Sequence, residues 1–144
     1  MMDYLSSIMA DIFDKKKRSE IMSRIKGKDT KPEIRVRRLL HAMGYRFRLH
    51  RKDLPGRPDI VLPRWKAVIF VHGCFWHLHE GCKIGRIPKS NRGYWKKKLL
   101  GNKARDAVHI KKLERAGYRC LVVWECETNN LEQLEERLAA FLPR

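Results

Sequence analysis

Long apolar runs are missing from this chain of 144 residues, and no stretch approaches the 18 or so needed to span a membrane. A secretory leader is not read either, because the opening MMDYLSSIMADIF carries Asp3 and Asp11 and has no basic segment before its apolar residues. Cysteine is sparse: four residues in a chain with no export signal point to thiols or metal ligands rather than a disulfide framework, and to the cytoplasm. Internal repeats and low-complexity tracts are absent, which excludes solenoid and linker architectures. Acid is scarce as well, with 16 Asp and Glu against 33 Lys and Arg, a formal charge of +17.

That excess is regional. Residues 15–52 hold 15 bases and 3 acids, residues 83–119 hold 13 and 2, and residues 125–144 reverse the balance with 5 acids and 2 bases. Two basic regions on one compact chain favour a polyanion over an anionic membrane as the partner. The length suits one domain with a real core, so residues 9–144 are expected to form a single domain behind a disordered extension at 1–8.

The pattern of what is present predicts the elements. DKKKRSEIMSRIKG places Ile21, Met22 and Ile25 at helical spacing over 14–27. DTKPEIRVRRLLHAMGY supplies an Asp-Thr cap, Pro32 in the first turn, an apolar stripe and Gly44 as the stop. Tyr45, Phe47 and Leu49 alternate with bases and read as a half-exposed strand. Asp-Ile-Val-Leu and Lys-Ala-Val-Ile-Phe-Val, joined by Pro-Arg-Trp, read as two paired inner strands. A loop over 83–93, a long basic helix over 94–116, a buried strand over 119–124 and an amphipathic helix over 130–141 follow. The expected fold is α/β, a central mixed sheet flanked by helices.

The chemistry concentrates in VHGCFWHLHEGC, residues 71–82. Cys74, His79 and Cys82 follow C-x4-H-x2-C, a loop able to fold three ligands onto one tetrahedral zinc ion. Cys126, just past the apolar CLVVW, is the best fourth ligand; the competing reading is buried free thiols with incidental histidines. Cys120 lies inside that strand and is assigned to the core, and Trp65 and Trp124 to packing. Asp59, at the mouth of the strand in LPGRPDIVL, is either a strand-edge solubiliser or a catalytic acid. The pattern P-D-x-V before a second apolar strand is that of metal-dependent nucleases of the restriction-enzyme type. Those enzymes usually carry an acid and a lysine on the second strand, whereas here it ends Phe70-Val71-His72-Gly73.

DKKKRSEIMSRIKGKDT, LPGRPDIVL, VIFVHGCFWH, YWKKKLLGNKARD and VVWEC together resemble the very short patch repair endonucleases, over about residues 9–141. The resemblance implies the restriction-endonuclease fold, a structural Zn²⁺, a catalytic Mg²⁺, and strand-specific nicking 5′ of the thymine of a T·G mispair left by deamination of 5-methylcytosine. It implies Asp59 and the backbone carbonyl of Val71 as Mg²⁺ ligands; the family commonly has threonine at this place, a change a main-chain ligand survives. His77 would be the general acid or base oriented by Asp106, with His72 assisting at the phosphate. Cys74, His79, Cys82 and Cys126 match the zinc ligands, and Phe75, Trp76 and Trp95, with Met22 from the opposite groove, match a wedge into the DNA stack. Implied partners are duplex DNA carrying the mismatch, the mismatch-repair proteins and a cytosine-5 DNA methyltransferase, with the enzyme a monomer. The alternatives are a nicking relative of the same fold with another specificity, and a noncatalytic zinc-bearing DNA-binding protein.

Overall fold

The computed structural model describes residues 29–142. The expected helix at 14–27, its Met22 and the extension at 1–8 lie outside the described residues. The described residues divide into two compact units, a sheet unit of residues 29–72 with 107–142 and a loop unit of residues 73–106. Among the described residues no helix is long and apolar enough to cross a membrane.

The sheet unit opens with helix α1, Lys31–Ala42. Thr30 caps it by accepting from the Glu33 amide at 3.4 Å, Pro32 occupies the first turn where no amide partner is lost, and Gly44 at φ +90 ends it. Four strands follow: β1 (Arg48–Leu49), β2 (Ile60–Leu62), β3 (Ala67–His72) and β4 (Arg119–Trp124), in the spatial order β1-β2-β3-β4. β1 and β3 run antiparallel to β2, and β4 runs parallel to β3, so the sheet is mixed. A 3-10 turn, Pro63–Trp65, with Lys66 at φ 48, joins β2 to β3. Helix α2, Arg92–Arg115, provides the crossover to β4, starting in the loop unit and ending in the sheet unit. A second 3-10 turn (Glu125–Asn129) and helix α3 (Leu131–Phe141), capped by Asn130, complete the fold.

The apolar strands are buried on both faces. Ile60 and Leu62 of β2 enter one core with Val36, Leu40, Val123, Leu134 and Leu138, while the intervening Val61 enters another with Val68, Phe70 and Leu113. A period of two thus sends one short run into two cores, with α1 and α3 covering one face and the end of α2 the other.

The strand expected over 45–49 is shorter than its alternation suggested. Only Arg48 and Leu49 pair, opposite Val61 and Ile60, because β2 itself offers three residues. Tyr45 instead docks in the core, its hydroxyl donating to the Leu142 carbonyl at 2.8 Å and its ring meeting Trp65 edge-on at 5.0 Å. Cys120 packs beside the second core, and burial pushes its thiol up to about 11.

In the loop unit, the turns after Gly73 and the first half of α2 close around Phe75, Leu78, Trp95 and Leu99, with Trp76, Ile84 and Ile87 packed against them.

Candidate active site and metal centre

Within the sheet unit, Asp59 stands one residue before β2, beside the end of β3. Its Oδ2 accepts from the Val71 amide at 2.7 Å, and its own carbonyl accepts from the His50 amide at 3.2 Å. The antiparallel register, Ile60 opposite Ile69, carries the carboxylate to this stretch of main chain. The side chain is only 17% exposed. Burial pushes its carboxyl up to about 7, and the neighbouring Glu33 carboxylate adds to the rise. The Val71 amide and the Arg37 guanidinium pull in the opposite direction without reversing it.

Glu33, at 3% exposure, was not singled out by sequence reasoning, nor were Arg37 and His50. Burial holds the Glu33 carboxyl above the usual range, against hydrogen bonds from the Asp29 amide at 3.0 Å and Arg37 Nη2 at 3.0 Å. Arg37 Nη2 also meets Asp29 Oδ1 at 2.7 Å and His50 Nε2 at 3.0 Å. The other ring nitrogen of His50, Nδ1, lies 3.9 Å from Asp59 Oδ1, so the imidazole stands between the Asp29–Glu33 acids and Asp59. In sequence, Thr30-x-x-Glu33 has the form of a helix cap, so the acid carries no local signal of a site. The structure adds a buried second carboxylate whose field raises Asp59.

Two further histidines belong to this chemistry by expectation. His72 ends β3, buried, with Trp124 edge-on at 5.4 Å and Phe70 tilted at 5.6 Å. In the loop unit, His77 Nδ1 meets Asp106 Oδ2 at 2.5 Å. A carboxylate there accepts the Nδ1 hydrogen and leaves Nε2 as the nitrogen that can exchange a proton with something else. Both side chains keep about a quarter of their surface exposed, at 25% and 23%. Asn102, one turn before Asp106 on α2, donates to the Trp76 carbonyl at 3.1 Å, so one helix face holds two consecutive loop residues.

The same loop gathers ligands for a soft metal. Atoms of Cys74, His79 and Cys82 lie within 4.8 Å of one another, with Cys74 Sγ 3.6 Å from His79 Nδ1. Successive turns set this up: the His79 amide donates to the Cys74 carbonyl, Cys82 to His79, and Gly85 to Cys82. A Cβ at Gly85 would sit 2.3 Å from the His79 carbonyl oxygen, so the loop closes only over a glycine. Two thiols and an imidazole at that spacing form a donor set that could hold a metal ion, and zinc is the ion it suits. Cys126 lies in the sheet unit, exposed, in the 3-10 turn that follows β4.

The three expected wedge rings are not equally placed. Phe75 and Trp95 are fully buried, and Trp76 is half-buried. Ring centroids are 5.1 Å apart for Phe75–Trp76 and 5.4 Å for Phe75–Trp95, both edge-on, so the cluster is one packed body with Trp76 at its surface.

Known proteins are similar along nearly the whole chain. The model of the family described as DNA mismatch endonuclease Vsr matches residues 10–83. The type II nicking enzyme V.XorIIP of Xanthomonas oryzae pv. oryzae is 52% identical over 134 residues, 93% of this chain and 98% of that protein. The type II nicking enzyme V.NmeAIP of Neisseria meningitidis is 47% identical over 130 residues, covering 90% and 92% of the two chains. The DNA mismatch endonuclease Vsr of Escherichia coli is 41% identical over 128 residues, covering 89% and 81%.

Proposed function

We propose that this chain, which belongs to the DNA mismatch endonuclease Vsr family, nicks one strand of duplex DNA 5′ of the thymine in a T·G mispair and leaves 5′-phosphate and 3′-hydroxyl ends. The observation that carries the reading is the Asp59 carboxyl, held by the Val71 amide and pushed up to about 7, with the buried Glu33 carboxylate adding to the rise. Two acids so close and so dry are ill at ease alone, and a hard divalent cation is what makes such a pair comfortable.

Asp59 and the Val71 carbonyl would hold Mg²⁺, which when bound supplies positive charge against the scissile phosphate. His77 exchanges a proton at Nε2 near that phosphate, Asp106 holds its tautomer and direction, and His72 assists at the phosphate from the end of β3. Zn²⁺ is held by Cys74, His79, Cys82 and Cys126. His72 and Trp124 are partners in the β3–β4 ladder, and Cys74 and Cys126 follow them by two residues each, which supports Cys126 as the fourth ligand. Phe75, Trp76 and Trp95 form the wedge beside the mispair, Trp76 leading because it is the ring with exposed surface, and Met22 enters from the opposite groove. The mixed sheet with helices on both faces supports the restriction-endonuclease fold, and residues 9–144 work as one mismatch endonuclease domain. It acts as a monomer in the bacterial cytoplasm, on lesions produced at sites of a cytosine-5 methyltransferase, ahead of the mismatch-repair proteins.

The nicking-enzyme relatives favour a second reading of the same chemistry, with a different sequence context around the mispair. A panel of labelled duplexes, varied in mispair and flanking bases, separates the readings. The expected result is Mg²⁺-dependent nicking confined to the thymine strand of T·G. Binding without nicking on every duplex would instead make this a noncatalytic DNA-binding protein.

A further inference from the structure

The loop that delivers Asp59, Leu-Pro-Gly-Arg-Pro-Asp, is more constrained than a strand entry requires. Arg57 sits at φ 47, a left-handed conformation that residues with a Cβ rarely adopt and glycine adopts freely. Its amide closes a turn onto the Leu54 carbonyl at 3.1 Å. On one side Gly56, at φ +73, is pressed so closely to α2 that an added Cβ would lie 2.8 Å from His109 Cβ. On the other side Pro58 is buried and has its own φ fixed by its ring. The backbone of residue 57 is therefore held from both directions, while its side chain is exposed.

That side chain has no hydrogen-bond or ion-pair partner among the described residues. Nearby arginines are committed differently: Arg51 is bound to Asp53, and Arg37 to Asp29 and Glu33. Nothing in the fold of the loop uses the Arg57 guanidinium, yet a rigid, strained backbone presents it two residues from the carboxylate proposed to face the scissile phosphate. Strain of this kind is retained at sites where a side chain must be aimed.

We infer that Arg57 grips the phosphodiester next to the one that is cut, on the nicked strand, and so fixes the register of that strand over Asp59. The inference rests on the proposed nicking reaction. A guanidinium suits the role because its planar fork can donate two parallel hydrogen bonds to one phosphate, setting orientation as well as charge.

The test uses the full chain with its metals and the variants Arg57→Gly and Arg57→Lys. Arg57→Gly removes the side chain and relieves the backbone, so its Tm should equal or exceed that of the native protein while kcat/KM on the mismatched duplex falls 10- to 100-fold. The slope of log affinity against log salt should shrink by about 0.9, one phosphate's worth. Arg57→Lys should recover part of the loss. A methylphosphonate replacing the neighbouring phosphate should weaken binding by the native protein and leave Arg57→Gly binding unchanged. Native rates and native salt slope in Arg57→Gly would reduce Arg57 to a solvated surface charge. A lowered Tm with matching loss of activity would make its role structural. Should the native protein nick no mispaired duplex, the proposed reaction falls, and the methylphosphonate and salt comparisons still judge whether Arg57 holds a phosphate.

Discussion

Replacing Asp59 by Asn should make the metal-free protein more stable, and more so in mild base than in mild acid. The carboxyl moves from the ordinary 3.8 to about 7 on folding, chiefly because it is buried. A carboxyl raised in this way binds its proton more tightly folded than unfolded. Stability is therefore full below about pH 4 and is lost as pH rises toward and through 7. At 1.36 kcal/mol for each tenfold change in proton affinity, the ionised carboxylate costs the fold about 4 kcal/mol at pH 8 and about 1.5 to 2 kcal/mol at pH 5. Asparagine keeps an oxygen to accept from the Val71 amide and has no charge to desolvate. Urea unfolding in a chelator, native against Asp59→Asn, should show the variant ahead by a margin about 2 to 3 kcal/mol larger at pH 8 than at pH 5. Adding Mg²⁺ at pH 8 should stabilise the native protein alone, while the variant no longer nicks and still binds DNA. A variant no more stable than the native protein at pH 8, or a margin independent of pH, would refute the argument that burial strains this acid.

His77→Ala should slow nicking about 10²- to 10⁴-fold with DNA affinity retained, and Asp106→Asn less, both read by single-turnover assay. Gly85→Ala forces a methyl into the His79 main chain, and elemental analysis should find the purified variant depleted of zinc. Trp95→Ala empties a fully buried site and should cost about 3 to 5 kcal/mol in chemical unfolding. Trp76→Ala should cost much less and bring the affinities for matched and mismatched duplexes together; unchanged preference would remove Trp76 from the wedge.

The elements that sequence made legible are those whose pattern is local. Helix α1 shows its cap, its proline and its stop, and β2 and β3 are plain apolar runs split by Pro63. β1 was over-read because alternation reports which way Tyr45 and Phe47 point, and says nothing about whether a partner strand is long enough to pair with them. His77 and Asp106, 29 residues apart, were brought together by family resemblance, and the structure shows them hydrogen-bonded. Glu33, Arg37 and His50 escaped notice because their significance is made by proximity to Asp59, and each looks ordinary where it stands in the chain. The burial of Phe75 and Trp95 is likewise a product of tertiary packing, since Phe75-Trp76 occurs in a turn-rich loop with no face to assign.

The parallel pairing of β3 with β4 has a consequence for how the chain reaches its native state. β2 and β3 are neighbours across a four-residue connection, Pro63 to Lys66, and their pairing needs little loop closure. Ala67, by contrast, waits for Arg119, 52 residues later, with all of α2 in between. During synthesis the outer edge of β3, an uninterrupted Ala-Val-Ile-Phe-Val, exists for an interval with its hydrogen-bonding groups unclaimed. Such an edge is a template for another chain's strand, and non-local pairings of this kind set the slow step. Refolding should accordingly be slow and sensitive to protein concentration, with yield governed by how soon β4 arrives.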